Sequence, residues 1–289
     1  MQPSQQQQRK HTRNEHQHRR VADPGPPDGG EPDQPERAAV AAAVAREIDT
    51  DTGAGAASAI IVGLCAALFA PWATAEYQVA AVADAGTIKG KIVFKGSVPL
   101  KTVLPTKDKD TCGGPRKDPL VVVGANGEVK DVVVSLKEVK AGKAWAAPGK
   151  TVALDQKGCQ FSPHVQVMAP GNLDVINSDP VLHNTHGYYG KNTAFNMALP
   201  LQGGKVTRPL RRPGLVRVDC DAHGWMEAWV VVVDNPYYAQ TGADGAFSIA
   251  DVPAGEYTMV VWQEHAGAIE MPVTVKAKQT VDMTTIELK

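Results

Sequence analysis

From residue 87 onward, short apolar and β-branched runs alternate with turn signals. The runs are TIKGKIVF (87–94), LVVVG (120–124), VVVSL (132–136), HVQVMA (164–169), LDVIN (173–177), LVRVDC (215–220), AWVVVVD (228–234), AFSIADV (246–252), YTMVVW (257–262) and PVTVKA (272–277). Asn126-Gly127, Pro170-Gly171, Pro213-Gly214, Asp244-Gly245 and Ala254-Gly255 punctuate them. Such runs, with Gly, Asn and Asp supplying the turns, predict strands joined by tight connections. A half-buried sheet must cover its apolar face with another layer, so the pattern predicts an all-β sandwich architecture. It predicts no helix after residue 80 and no internal repeat.

The first 75 residues are different in kind. Residues 1–54 are rich in Gln, Pro and Gly and nearly free of large apolar side chains. They cannot bury enough surface to offset the entropy of ordering, so they read as a disordered tail. Its histidines (His11, His16, His18) are a weak metal-binding set at most, and 38–48 is transiently helical at most. The run AASAIIVGLCAALFA (56–70) falls short of the roughly 20 residues a membrane span needs. It suits a signal-peptide core, with Ala73, Thr74 and Ala75 supplying small residues for cleavage before Glu76. The acidic flank (Glu47, Asp49, Asp51) keeps an uncleaved anchor over 55–75 open as the alternative. Both forms predict export to the periplasm or cell envelope.

The chain of 289 residues has room for more than one domain, and its net charge of -1 excludes a global basic field of the kind that binds nucleic acid. Export changes the meaning of the four cysteines. Losing Cys65 with the signal leaves Cys112, Cys159 and Cys220, an odd number in an oxidising compartment. One thiol is then unpaired or held by something other than sulfur.

Candidate chemistry concentrates in two stretches. The first, residues 177–186 (NSDPVLHNTH), reads as a loop after a strand. The second, CDAHGWM (220–226), lies between two strong strands. Singly, a buried Cys or Met is ordinary core, and a lone His is usually hydrogen-bonded. Jointly, a thiolate, an imidazole and a thioether spaced C-x2-H-x2-M in one tight loop can converge on one ion. An imidazole from a distant loop completes a His2Cys set with a weak axial Met, which favours copper. A disulfide from Cys220 to Cys112 or Cys159 is the competing fate of that thiol. No nucleophile–base pair, phosphate loop or paired acid/base carboxylates stand out, so no enzyme is predicted. Gly224 stands where a two-copper centre needs a second Cys, and no paired H-x-H motifs offer a trinuclear site.

The stretch from Phe161 through Gly171, Asn177 and His183, with Cys220, His223 and Met226, resembles the cupredoxins. The two-residue gaps of the ligand loop are similar to those of amicyanin. The resemblance covers about 148–235 and implies a Greek-key β-sandwich with one type 1 copper. It implies His183, Cys220 and His223 as equatorial ligands and Met226 as the axial one. Asn184 matches the family position whose amide steadies the thiolate-bearing loop. His223 would lie nearest the surface, as the electron port, with Trp225 packing beside it. His186 and His164 stay open: hydrogen-bonding groups, a replacement ligand, or a second metal pair. With Cys220 on copper, Cys112 and Cys159 remain as a disulfide pair.

The C-terminal stretch TGADGAFSI (241–249) with VPAGEY (252–257) resembles half of a carboxypeptidase regulatory-like, transthyretin-like sandwich; GTIKGKI (86–92) and VKDVVVSL (129–136) resemble its other strands. This implies a discontinuous smaller sandwich, 86–147 with 236–289, around a cupredoxin at 148–235. Extension, cupredoxin and β module in series is the plainer alternative. The whole chain is similar to bacterial methylamine-utilisation-like cupredoxin-domain proteins, which implies copper and export but no pathway.

The expected function is therefore single-electron transfer between redox partner proteins, with a membrane or envelope component as a further contact and the oligomeric state undetermined. Copper storage without redox cycling, and a structural or adhesive sandwich, are the alternatives.

Overall fold

The computed structural model describes residues 77–146 and 150–289. The tail and the apolar segment at 55–75 lie outside the described residues. Among the described residues, no helix is long and apolar enough to cross a membrane.

The fold is all-β. In the middle of the chain, one sheet has four strands in the order Lys205–Leu210, Gly171–Asn177, Val152–Gln156, Phe161–Ser162. The other has five, in the order Asn192–Leu199, His183–Tyr189, Gly214–Asp219, Glu227–Val232, Val165–Met168. Alternation drives their packing: along Gly171–Asn177 every second residue is buried, which sends Leu173 and Val175 inward. They join Leu154, Phe195, Met197, Leu199, Val216, Val218 and Val230 in one core, which also takes in Cys220 and Met226.

A second pair of sheets draws on both ends of the described chain. Val133–Leu136 lies between Tyr238–Gln240 and Gly255–Gln263, and Gly267–Val275 adds to the outside of Gly255–Gln263. Gly86–Phe94 pairs antiparallel with Ala246–Val252 and parallel with Thr280–Leu288. Their core holds Ile88, Ile92, Leu136, Tyr237, Met259 and Val261. Between the two cores, Val133, Val165, Val167 and Val233 form a third cluster. There the rings of Trp229 and Trp262 meet edge to face at 5.5 Å.

Several sequence expectations are corrected. LVVVG (120–124) is no strand; it contributes one bridge, Val123 to Val129, because the turn at Asn126-Gly127 follows too closely for a ladder. A single helical turn, Lys109–Cys112, interrupts the all-β region. His183 lies not in a loop but at the start of the strand His183–Tyr189. That strand needs Gly187 where it stands, since a Cβ there would lie 2.5 Å from the Phe195 ring.

Candidate metal centre

Two stretches carry the site. Asn177 ends its strand fully buried, and its Nδ2 donates to the carbonyls of Val181 and Leu199, both at 2.9 Å. Its Oδ1 accepts the Asp179 N–H at 2.9 Å. This one side chain thus knits the 178–182 loop and sets Asp179 and His183. Asn177→Ala removes all three bonds, and those to the Leu199 carbonyl and from the Asp179 N–H are buried; at roughly 1–3 kcal/mol per orphaned buried group, it should cost about 2–4 kcal/mol in denaturant unfolding. A loss under about 1 kcal/mol would contradict this role.

The second stretch is two successive turns. The His223 N–H donates to the Cys220 carbonyl at 3.1 Å, and the Met226 N–H donates to the His223 carbonyl at 2.9 Å. The C-x2-H-x2-M spacing is thus the period of these turns, and it points Cys220 and His223 to the same place.

That place is shared with His183. The Cys220 Sγ lies 3.8 Å from His183 Nδ1 and 3.6 Å from His223 Nδ1, and the two Nδ1 atoms are 3.0 Å apart. All three residues are buried. Among the described residues Cys220 is the only free cysteine. Burial pushes its thiol up, against the backbone N–H groups of Asn184, His223 and Ala222. Burial also pushes His183 down, more than Asp179 pushes it up, and so favours the neutral imidazole.

Each imidazole gives its outer nitrogen to a carboxylate: His183 Nε2 to Asp179 Oδ2 at 2.9 Å, and His223 Nε2 to Asp108 Oδ2 at 2.9 Å. A carboxylate accepts, so each Nε2–H donates, which leaves the two Nδ1 atoms facing each other and the sulfur. Two lone pairs facing each other at 3.0 Å repel unless a proton or a metal cation is shared between them. With a sulfur beside them, two imidazole nitrogens form a donor set that fits copper. Asp179 is itself fixed, accepting the N–H groups of Gly158 at 2.7 Å and Cys159 at 2.8 Å. Burial opposes its charge, but these donors and His183 outweigh it and hold the carboxyl below its usual range.

The other candidate residues fall around this centre. Met226 is buried in the same core as Cys220. The Asn184 backbone N–H points at the Cys220 sulfur, 3.4 Å away, while its side-chain amide donates to Asn196 instead. Cys112 and Cys159 form a disulfide. His186 stacks on Tyr188 with ring centroids 4.0 Å apart and bonds to Asp221, Tyr188 and Thr193, outside the cluster. His164 pairs with Glu264 at 2.6 Å. Burial tends to lower its pKa, but Glu264 prevails and raises it.

His223 is not at the surface. It is 0 % exposed, with Asp108 over its outer edge and the Trp225 ring 5.1 Å from its own. The expected port is closed because a segment outside the middle sheets lies across it. Asp108 and Asp179 were missing from the expected site. Asp179 stands within the 177–186 motif, where a carboxylate four residues before the candidate His183 is a usable signal; Asp108 lies 115 residues from His223, in an unremarkable Lys/Asp stretch.

Residues 218–283 match the family described as polysaccharide lyase family 4, domain II. No curated protein matches the chain. Among solved structures, a purple cupredoxin from Nitrosopumilus maritimus is similar at 19% identity, over 28% of this chain and 99% of that one, with a TM-score of 0.26. Amicyanin from Paracoccus versutus is similar at 14% identity, over 35% of this chain and 97% of that one, with a TM-score of 0.26. A copper-containing nitrite reductase from Thermus scotoductus gives 16% identity over 32% of this chain and 25% of that one, with a TM-score of 0.27. The structural neighbours are thus cupredoxins over about a third of the chain.

Proposed function

We propose that this chain is an exported, mononuclear type 1 copper protein that carries single electrons between redox partners. The observation that carries this reading is the convergence of Nδ1 of His183, Nδ1 of His223 and the Cys220 sulfur at one buried point. Met226, from the same loop, would be the fourth residue to hold the copper. Copper bound there would supply a one-electron couple: thiolate and thioether would favour Cu(I), and the two imidazoles would keep Cu(II) accessible. The chain's own part is to hold two imidazoles by their Nε2–H groups, exclude water and keep the thiol buried beside the Asn184 N–H. The reading rests on this donor set and not on the structural likenesses.

Export rests on the apolar run and the small residues at 73–75. In this reading the middle sandwich is inserted into a smaller one built from both flanks, consistent with the pairing of Gly86–Phe94 to Thr280–Leu288. With His223 covered, a redox partner approaches through Trp225 and Met226, which line a cleft of about 390 Å³. A carrier, not an enzyme, is the activity proposed.

A second reading, copper storage, draws on the same burial of His223, which favours slow exchange. Voltammetry of the copper-loaded full chain separates them. Electron transfer predicts a reversible one-electron wave, and Met226→Leu should shift its potential while keeping the colour, because a thioether would be the weakest donor of the four. Bound copper with no reversible wave would favour storage. Loss of copper in Met226→Leu would contradict the assignment of Met226 as the weak fourth donor.

A further inference from the structure

Asp108 does not belong to the sheets that carry the ligands. It lies between the paired strands Leu100–Val103 and Arg116–Pro119. Its carbonyl accepts the N–H groups of Thr111 at 2.9 Å and Cys112 at 2.8 Å, which closes the single helical turn. Cys112 is then bonded through sulfur to Cys159. The Cys159 N–H in turn donates to Asp179, which accepts from His183. The outer edges of the two imidazoles are therefore held by two carboxylates, and one disulfide ties the supports of those carboxylates together. The disulfide lies against the centre itself: donor atoms of Cys112, Cys159 and His223 fall within 4.8 Å of one another, as do those of Cys159, Asp179 and His183.

We propose that Asp108 is a positioning residue for the His223 imidazole and that the Cys112–Cys159 disulfide holds it in place, so that reducing this bond loosens the metal centre. The proposal rests on the copper reading and adds a means of control to it. The reductant is a dithiol. Its thiolate attacks one sulfur of the bridge, the S–S bond breaks, two cysteine thiols remain, and the reductant leaves as its own disulfide after a second exchange. The turn that carries Asp108 is then free of Cys159, and His223 loses the acceptor that fixes its tautomer.

The test compares full-length wild type, Asp108→Ala, Asp108→Asn and the Cys112→Ser/Cys159→Ser double variant. Cu(II) affinity is read by competition with a chelator. Outer partners of metal-bound histidines are typically worth 10–100-fold in affinity, so Asp108→Ala should weaken binding about 10–100-fold. Asp108→Asn, which keeps an acceptor beside Nε2–H, should recover most of it. The double serine variant should weaken binding similarly, and adding Asp108→Ala to it should cause no further loss. In the metal-free protein, imidazole 15N spectra should show His223 as the Nε2–H tautomer in wild type and a tautomer mixture in Asp108→Ala. Unchanged affinity and an unchanged tautomer in Asp108→Ala would overturn the proposal while leaving the copper reading intact. A wild type with no Cys220-dependent copper band would instead overturn the copper reading. If the double variant fails to fold, the two Asp108 variants decide.

Discussion

Cys220→Ser should abolish the thiolate-to-copper band altogether. The residue is 1 % exposed and its sulfur faces two imidazole Nδ1 atoms, so nothing else nearby replaces it as the charged soft donor. A serine hydroxyl in the same place stays protonated at neutral pH and is a poor ligand for copper. The same residue sets a pH dependence. Burial raises the thiol pKa, so the metal-free protein holds that proton at neutral pH, and binding Cu(II) must displace it. Affinity should therefore rise about tenfold per pH unit below the thiol pKa, with one proton released per copper. Titration in weakly buffered solution, with Cys220→Ser as the control, checks both. A Ser variant that keeps the intense band, or wild-type binding without proton release, would remove Cys220 from the site.

Removing the Cys112–Cys159 bridge should give the largest loss of stability. The bridge spans 47 residues. By the chain-entropy relation, a loop of that length restricts the unfolded state by about 4 kcal/mol, and native bridges removed from small exported domains typically cost about 2–5 kcal/mol. Both cysteines are buried, so serine hydroxyls there also lose their solvation. Denaturant unfolding of the double serine variant should show a loss in that range, and a loss below about 1 kcal/mol would contradict it.

The parts of the fold legible in sequence were those whose strands bury aliphatic side chains in alternation. Leu173 and Val175, or Val216 and Val218, announce their strands because the inward residues are apolar. The strand His183–Tyr189 hides, since its inward positions are His183, Thr185 and Gly187. Its burial depends on partners: Thr185 donates to Gln156, and Gly187 makes room for Phe195. LVVVG (120–124) misleads in the opposite sense, for the turn at Asn126-Gly127 leaves its apolar run a single bridge to Val129 and not a ladder.

At the centre, the C-x2-H-x2-M loop and His183 were legible and the segment that covers His223 was not. Two turns of the chain reproduce the C-x2-H-x2-M spacing directly, so Cys220 and His223 were visible as a pair. What covers His223 depends on a segment 115 residues away, held by a turn and a disulfide. No local pattern around Asp108 encodes that contact. The burial of His223, opposite to the expected surface position, follows from this one long-range arrangement.

The most direct test is the visible and EPR spectrum of the full chain after one equivalent of Cu(II). The account predicts an intense blue or green band with narrow copper hyperfine splitting, both requiring a Cu–thiolate bond at Cys220. A faint band with wide splitting would contradict it, since copper would then be held by imidazoles without the thiolate.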